Sequence, residues 1–243
     1  MKKRNDLSVV VLAAGQGKRM KSERPKVMFD LAGWPLVKHV AETAMALRPG
    51  RFVVVVGVGK DQVKGALEGY DAELAVQREQ KGTGHAVRSA SRLLSKQEGT
   101  VLVLYGDVPL IRPETLKQLL AYHRRRKAAV TILTAEAADP TGYGRIIRDL
   151  PGSGGVLAIR EEKDATPAER SITEINTGIM AFRADLLWPA LRKLKADNAQ
   201  GELYLTDVPE MLIAKGEQVV AVTADDIREV SGINSLSELA DAS

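Results

Sequence analysis

The chain has 243 residues, 44% hydrophobic and 27% charged, which is long enough for one large α/β domain with a buried core. It has no cysteine, which excludes disulfides, thiolate catalysis and cysteine-bound zinc. A net charge of +4 with 4% aromatic residues suits an anionic ligand without indicating nucleic acid, and no apolar run in the sequence is long enough to span a membrane. The basic N-terminus leads into a strand rather than a signal sequence, so we expect a cytoplasmic protein.

The first half of the chain alternates apolar strands with helical patterns. Strands are predicted at residues 8–14, 51–57, 72–76, 100–105 and 128–135, and helices at 35–47, 60–67, 83–94 and 113–126. Strands that are apolar throughout are typical of a parallel sheet covered by helices on both faces. Ligands bind such sheets beyond the carboxyl ends of the strands.

The pattern changes after about residue 135. Shorter strands at 144–148, 156–162, 177–183 and 218–222, with helices at 184–194 and 204–215, predict a smaller and partly antiparallel lobe. No linker rich in proline, serine or charge separates the two parts. We therefore expect a single domain over residues 1–243, with a nucleotide-binding half at 1–135 and a second lobe at 136–243.

A glycine loop rich in cations follows the first predicted strand. Gly15 and Gly17 let the backbone approach an anion closely, and Lys18, Arg19 and Lys26 supply positive charge. The glycine spacing fits neither the dinucleotide-binding fingerprint nor the P-loop. The loop therefore predicts a phosphate site of another type, with an ordinary βα turn as the alternative interpretation.

Tyr105, Gly106 and Asp107 stand at the end of the strand predicted at 100–105, at the edge of the sheet where the glycine loop is expected. A carboxylate that faces phosphates is a suitable Mg²⁺ ligand, because magnesium combines one or two protein oxygens with phosphate oxygens and water. The alternative is that Asp107 caps the turn that follows it.

A second glycine loop, at residues 77–86, opens a predicted helix. The amide of Gln77 offers both a donor and an acceptor to the edge of a pyrimidine base. Thr83 also fits a helix N-cap, and the two roles are compatible. His85 has no obvious carboxylate to orient it, so we interpret it as structural rather than as a general base.

Polar residues also stand at strand ends in the second half. Gly144 lies in a tight turn into one strand, Glu161 ends another and Asn176 precedes a third. Neutral and acidic side chains in such positions suit the hydroxyl groups of a sugar. Each pattern taken alone indicates little, and Asn234 near the C-terminus indicates less.

Taken together, these segments resemble the uridyltransferase domain of the bacterial bifunctional N-acetylglucosamine-1-phosphate uridyltransferases. The resemblance covers nearly the whole chain and rests on motifs that occur in the family's order. They are LAAGQGKRM with PK downstream, QREQKGTGHA, YGDVPL, GYGRI, EEKDA, EINTGI and GELYLTD. The first and third motifs mark sugar-phosphate nucleotidyltransferases in general, whereas QREQKGTGHA, EINTGI and GELYLTD are far more specific to this branch.

The resemblance implies an α/β, Rossmann-like nucleotidyltransferase fold: a mixed, mostly parallel sheet flanked by helices, with a smaller sugar-binding lobe. It implies Mg²⁺-dependent transfer of uridylyl from UTP to N-acetylglucosamine-1-phosphate, giving UDP-N-acetylglucosamine and pyrophosphate for cell-envelope polysaccharide precursors. The attacking phosphate oxygen is already anionic, so no general base is required. Catalysis is then expected from alignment and charge neutralisation.

The resemblance also assigns roles to individual residues. Phosphate clamping is implied for Arg19 and Lys26, and Mg²⁺ binding for Asp107 and Asn234. The implied nucleotide contacts are Leu12, Ala13, Ala14, Gly15, Gln77, Gly82, Thr83, Tyr105, Gly106 and Asp107, with Gln77, Gly82 and Thr83 at the uracil. The implied sugar contacts are Gly144, Glu161 and Asn176.

The chain departs from the family in three places. Lys18 stands where the family has Thr or Ser, and we expect it to lower the Michaelis constant for UTP relative to a Lys18→Thr variant. The Arg and Gln that follow the metal-binding asparagine in the family are missing after Asn234. The chain ends at Ser243, without the β-helix that carries acetyl transfer and trimerisation in the family, so we expect a monomer that lacks acetyltransferase activity.

Other functions stay open at this point. A uridyltransferase for another sugar phosphate, such as glucose-1-phosphate, would differ in the pocket around Gly144, Glu161 and Asn176. Another base is also compatible with the fold, although Gln77 and its loop favour uracil over guanine. A catalytically silent nucleotide-sugar sensor is the alternative from a different class, and the presence of the phosphate clamp argues against it.

Overall fold

The computed structural model describes residues 6–15, 24–150 and 155–242, and their strands form one mixed sheet with a small ribbon beside it. The described strands are β1 (Leu7–Ala13), β2 (Asp30–Leu31), β3 (Trp34–Pro35), β4 (Arg51–Val56), β5 (Glu73–Val76), β6 (Thr100–Tyr105), β7 (Val130–Glu136), β8 (Gly144–Arg148), β9 (Val156–Arg160), β10 (Glu174–Arg183) and β11 (Val219–Thr223). The sheet runs in the order β11-β7-β10-β6-β1-β4-β5, the β8–β9 hairpin pairs with β10, and β2 and β3 form the ribbon.

Helices cover both faces of this sheet. The described helices are α1 (Leu36–Ala46), α2 (Lys60–Ala66), α3 (Thr83–Ser89), α4 (Ser91–Leu94), α5 (Pro113–Arg126), α6 (Pro167–Arg170), α7 (Ala184–Leu191), α8 (Asp207–Ile213), α9 (Ile227–Val230) and α10 (Leu236–Asp241). A 3-10 turn occupies Lys26–Met28. Among the described residues, no helix has the length and apolar character needed to cross a bilayer.

The centre of the sheet is parallel, and one strand from late in the chain is inserted into it in the opposite direction. β1 pairs in parallel with β4 and β6, and β4 pairs in parallel with β5. β10 lies antiparallel between β6 and β7, and β11 pairs in parallel with β7. The predicted mixed sheet flanked by helices is confirmed. Its strands come from both halves of the chain.

The hydrophobic core lies on both faces of the sheet, which explains why the central strands are apolar at every position. On one face, Val9 and Val11 of β1 pack with residues of α1, α2 and α5. On the other face, Val10 and Leu12 pack with residues of α3, α7 and α8. Every residue of β1 is buried. A strand buried in this way holds its carboxyl end rigidly, and that end leads into the first glycine loop.

Several predicted element boundaries differ from the structure by one to three residues, and one predicted helix is divided. The helix expected at 83–94 is divided into α3 and α4, and the Ser89 hydroxyl donates to the carbonyl oxygen of His85 at 3.0 Å. Such a bond back to the preceding turn bends helices. The helix expected at 204–215 begins only at Asp207. The strand expected at 177–183 begins earlier, at Glu174.

Candidate active site

The predicted nucleotide-binding segments meet at one edge of the sheet because the strands that precede them are parallel. Gly15 follows β1, Gln77 follows β5, and Gly106 and Asp107 follow β6. Backbone hydrogen bonds extend the pairing beyond the strands: the Gly106 amide donates to the Leu12 carbonyl at 2.9 Å. The backbone amide of Gln77 donates to the carbonyl oxygen of Val56, the last residue of β4, at 2.8 Å. These loops are therefore held in register by the sheet itself.

A cavity of about 250 Å³ opens between these loops. It is lined by Leu12, Ala14, Gly15, Lys26, Val27, Gln77, Gln80, Gly82, Thr83, Ala86, Tyr105, Asp107 and Glu202. Most of the residues predicted to contact the nucleotide thus border one space. Ala13 and Gly106 are exceptions, since they are packed into the wall behind it. A Cβ on Gly106 would lie 3.2 Å from the Leu12 carbonyl oxygen and 3.5 Å from the Ala13 Cβ.

Sequence reasoning missed four lining residues, and two of them had a signal. Gln80 lies in the QREQKGTGHA motif, and its Nε2 donates to the Ala14 carbonyl at 2.7 Å, which joins the two glycine loops. Glu202 lies in the GELYLTD motif. Val27 and Ala86 are apolar residues that sequence alone does not distinguish from the core.

The second glycine loop is shaped by contact with the GELYLTD segment. Gly82 has φ of +95°, and a Cβ there would lie 2.7 Å from the Leu203 carbonyl oxygen. The Leu203 amide donates to the Lys81 carbonyl at 2.8 Å, and the Leu205 amide donates to the Thr83 hydroxyl at 3.1 Å. The N-cap of α3 is Gly82, so the interpretation of Thr83 as an N-cap is wrong. Its hydroxyl is used by the neighbouring segment instead.

Lys26, Asp107 and Asn234 form a polar cluster at the mouth of the cavity. The Lys26 ammonium makes an ion pair with the Asp107 carboxylate and donates to the Asn234 Oδ1 at 2.8 Å. The side chains of Lys26 and Asp107 are only 14% and 15% exposed. A cation held by two oxygens in a sheltered place interacts more strongly than it would in open solvent.

Asn234 is placed by local capping as well as by packing. The Ile233 amide donates to the Asp107 carbonyl at 2.8 Å, and the Ile233 side chain packs with Leu31 and Leu36. Ser235 caps α10, and the Glu238 carboxylate accepts from the Asn234 amide at 2.5 Å. This cap holds Asn234 in place although the Arg and Gln expected after it are missing.

The cluster fits a small divalent cation that is shared with phosphate oxygens. Asp107 and Asn234 point one carboxylate oxygen and one amide oxygen at a single positive group, the Lys26 ammonium. Oxygen donors of this kind suit Mg²⁺, which usually keeps water and substrate oxygens in its remaining positions. Within the described ranges, no group of three or more acidic, histidine or cysteine side chains is arranged to hold a metal.

The predicted sugar residues lie on neighbouring strands, beyond Tyr105, and none of them lines the 250 Å³ cavity. Gly144 of β8 is paired directly with Asn176 of β10. Glu161 follows β9, and its Oε1 accepts from the Thr206 hydroxyl at 2.7 Å. The Tyr105 ring packs against Gly178, where φ is +83° and a Cβ would lie 2.6 Å from a ring carbon. Tyr105 therefore separates the cavity from the side where the sugar residues lie.

Burial raises the pKa of several phenol and carboxyl groups in this region. Burial raises the pKa of Tyr105 well above its usual value, and the charges of Glu161 and Asp107 raise it further. Burial also raises the pKa of Glu161. The pKa of Asp207 is raised to about 6, chiefly by burial and then by Glu210. None of these groups forms a nucleophile–base pair, so the arrangement is one for binding and positioning rather than for covalent catalysis.

Three predicted residues of the first glycine loop, Gly17, Lys18 and Arg19, lie outside the described residues. The phosphate-clamping role of Arg19 and the effect of Lys18 on UTP binding therefore stay predictions. The remaining predicted site residues all lie in the described part of the chain.

Comparison with known proteins gives a consistent result. Residues 9–209 match the family model of the MobA-like NTP transferase domain. Among curated proteins, the Bifunctional protein GlmU of Burkholderia orbicola is 52% identical over 235 residues, and that of Corynebacterium efficiens is 48% identical over 241 residues. Each alignment covers 97% of this chain, and 51% and 49% of the two relatives respectively. The chain thus spans about half the length of the curated relatives it matches, and the resemblance to bacterial bifunctional enzymes is confirmed.

Solved structures support the fold. A UDP-glucose pyrophosphorylase in complex with UDP-glucose matches with a TM-score of 0.76 and 19% identity, covering 97% of this chain and 96% of that chain. The apo form of a UDP-glucose pyrophosphorylase matches with a TM-score of 0.75. At this identity the likeness shows the fold alone. The family model, which matches residues 9–209, shows that the chain belongs to the MobA-like NTP transferase domain family.

Proposed function

We propose that this chain transfers uridylyl from UTP to N-acetylglucosamine-1-phosphate, forming UDP-N-acetylglucosamine and pyrophosphate. The observation that carries the proposal is the cluster of Lys26, Asp107 and Asn234 at the mouth of a cavity bordered by Gln77. A nucleotide with its base at Gln77 and its triphosphate at Lys26 would span this cavity. Sequence identities of 48% and 52% to two curated proteins named GlmU support the same assignment.

The proposed nucleotide contacts divide between base and phosphates. Gln77, Gly82 and Thr83 would hold the uracil, and Tyr105 and Gly106 would border it on the side of β6. The backbone of Leu12, Ala13, Ala14 and Gly15 would face the nucleotide from the end of β1. Lys26 and Arg19 would bind the triphosphate, since ammonium and guanidinium groups are the usual cationic partners of phosphate.

The proposed metal ion is Mg²⁺, held by Asp107 and Asn234. When bound, such an ion neutralises charge on the phosphate oxygens and fixes their orientation. Lys26 is already in contact with both oxygens in this structure, so its ammonium is well placed to bind the phosphates beside the metal. Asp107 thereby positions Lys26 as well as contributing an oxygen to the cation.

The proposed sugar contacts are Gly144, Glu161 and Asn176. Glu161 already accepts from Thr206, and the Asn176 Oδ1 accepts from the Gly178 amide at 3.0 Å. These bonds restrict both side chains. The NH₂ group of Asn176 and the second carboxylate oxygen of Glu161 are then available to sugar hydroxyls. Glycine at position 144 allows β8 to pack closely on β9, because a Cβ there would lie 3.2 Å from the Ile159 Cγ2.

No general base is needed for the proposed reaction. The attacking oxygen of the sugar phosphate is anionic at neutral pH, so the chain has to align it with the α-phosphorus and neutralise the charge that surrounds it. Cations placed in advance supply that neutralisation without reorganisation. This agrees with the lack, in the described part of the chain, of a paired nucleophile and base at the cavity.

The decisive experiment is pyrophosphate release with Mg²⁺ and UTP, comparing N-acetylglucosamine-1-phosphate with glucose-1-phosphate. Release with the acetylated sugar alone is the expected result. A preference for glucose-1-phosphate would keep the chemistry and overturn the proposed sugar. If neither sugar phosphate supports release while UDP-N-acetylglucosamine still binds, the chain is a sensor rather than an enzyme.

A further inference from the structure

The side-chain amide of Gln77 has a defined orientation. Its nitrogen lies 3.3 Å from the Gly82 carbonyl oxygen and 3.1 Å from Nδ1 of His85. A carbonyl oxygen only accepts hydrogen bonds, so the end of the amide that faces it is the NH₂ group. That group has two hydrogens, and both are therefore directed at the protein. Gln77 is only 6% exposed, which restricts it to this arrangement.

His85 accepts one of these two hydrogen bonds and therefore carries its proton on the other ring nitrogen. The ring also makes a hydrogen bond with the backbone of Glu79, and this bond raises the pKa of His85. A ring N–H that donates to a carbonyl oxygen has this effect. Burial lowers the pKa of His85, and the nearby charge of Arg88 lowers it further. Lys81 and Glu79 are the other charged groups that act on the ring. At neutral pH the imidazole is thus uncharged and can accept from Gln77.

The orientation of Gln77 decides what the cavity offers to a base. With both hydrogens used, the remaining polar atom of the amide is Oε1, which has no hydrogen-bond partner among the described residues. An oxygen acceptor matches the N3–H group of uracil. The same position in cytosine is a lone pair, which would face the oxygen without a hydrogen between them.

We propose that His85 is a positioning residue that fixes the Gln77 amide with its oxygen toward the nucleotide, and so selects uracil over cytosine. The inference rests on the proposed function, because it needs a pyrimidine nucleotide in the cavity. Without the acceptor at His85, only the Gly82 carbonyl holds the NH₂ group, so the Gln77 amide turns that group toward the base more readily. Sites that read a base by a buried hydrogen bond reject the analogue that leaves the group unpaired.

The test compares UTP with CTP in three proteins: the native chain, His85→Ala and His85→Asn. The Oδ1 of asparagine takes the place of Nδ1 and can still accept from Gln77, whereas alanine cannot. We expect the ratio of kcat/KM for UTP to that for CTP to fall by about tenfold in His85→Ala. We expect His85→Asn to restore the ratio to within about threefold of the native value. Both nucleotides carry the same triphosphate, so effects on phosphate binding cancel in the ratio.

Two results would overturn the inference: an unchanged ratio in His85→Ala, or an equal loss in both variants. The second would mean that the size of the ring matters and its acceptor atom does not. If the native chain releases no pyrophosphate from either nucleotide, the proposed function fails separately. In that case the same ratio is read from calorimetric binding of UTP and CTP with Mg²⁺, and binding of neither nucleotide would also refute the inference. Thermal unfolding of each variant confirms that the proteins compared are folded.

Discussion

At the scale of single residues, the proposed function depends on charged groups whose positions are fixed by their neighbours. A Cβ at Gly59 would overlap the ring of Pro25, so that glycine lets the chain place Lys26 close to β6. Lys26 then meets Asp107 and Asn234, although Asn234 lies 208 positions away in the sequence. The sequence predicted these three residues from their types and from a family resemblance. Their contact with one another could not be read from a motif.

We predict that Lys26→Ala and Asp107→Ala each lower turnover by about 10²-fold or more, because each removes charge from the place where phosphate charge has to be neutralised. Initial rates of pyrophosphate release at saturating UTP measure the effect. Lys117→Ala is a suitable control, since Lys117 lies on α5 and is exposed, with its ammonium 3.8 Å from Glu114. Near-normal rates in both site variants would refute the assignment.

We predict that Gly82→Ala destabilises the protein more than Gly69→Ala. Both glycines have nearly the same positive φ, +95° and +93°, which residues with a Cβ rarely adopt, so alanine is strained at either position. A Cβ at Gly69 meets open space, whereas one at Gly82 would lie 2.7 Å from the Leu203 carbonyl oxygen and force that segment to move. Urea unfolding measures the difference, and the Michaelis constant for UTP should rise in Gly82→Ala alone. Equal unfolding free energies in the two variants would contradict this account.

At the scale of elements, the strands and longer helices follow the hydrophobic pattern, and the exceptions have physical causes. The bounds of α5 agree with the prediction, because its stripe of apolar residues and its basic last turn are local signals. α8 starts later than predicted because Leu203 and Leu205 bond to the second glycine loop instead. The short elements β2, β3, α6, α9 and α10 were not predicted, since segments of two to six residues carry too little periodicity.

The contact between α5 and β7 makes stability depend on pH. His123 is 3% exposed and its Nδ1 lies 2.8 Å from the Thr131 hydroxyl, and burial lowers the pKa of His123 to about 4. In the unfolded chain the His123 imidazole takes up a proton near pH 6.5. In the native protein the buried ring takes it up only near pH 4. The contribution of His123 to stability is therefore complete above about pH 6.5, and it falls by about 3 kcal/mol as the pH drops to about 4.

We expect His123→Asn to remove this part of the pH dependence, because asparagine keeps a polar atom opposite Thr131 and does not titrate. The measurement is the free energy of unfolding in urea for both proteins at several values between pH 4 and pH 8. The difference between them should shrink or reverse toward acid pH. Parallel curves would show that His123 is not the group responsible.

At the scale of the whole molecule, the C-terminal segment completes the site without forming part of the sheet. Ile233 packs with Leu31 and Leu36, next to the ribbon of β2 and β3, and so carries Asn234 to Lys26. We predict that a chain ending at Val230 still folds its sheet but loses about 10²-fold in turnover, with a lower melting temperature.

Asn234→Ala in the complete chain is the matched comparison, and it should lose activity without the change in melting temperature. Circular dichroism and pyrophosphate release together distinguish the two effects. Full turnover in the shortened chain would exclude Asn234 from the metal site.

The sequence by itself determined the alternation of strands and helices, the two glycine loops and the types of residue proposed to hold phosphate, metal and base. These are local properties, set by periodicity and by the chemistry of side chains a few residues apart. Only the tertiary structure decided that β10 enters the sheet antiparallel between β6 and β7, that Asn234 reaches Lys26, and that His85 and Gly82 orient Gln77. Each of these depends on pairing between distant segments, which is selected by the packing of the whole core rather than by any single stretch of sequence.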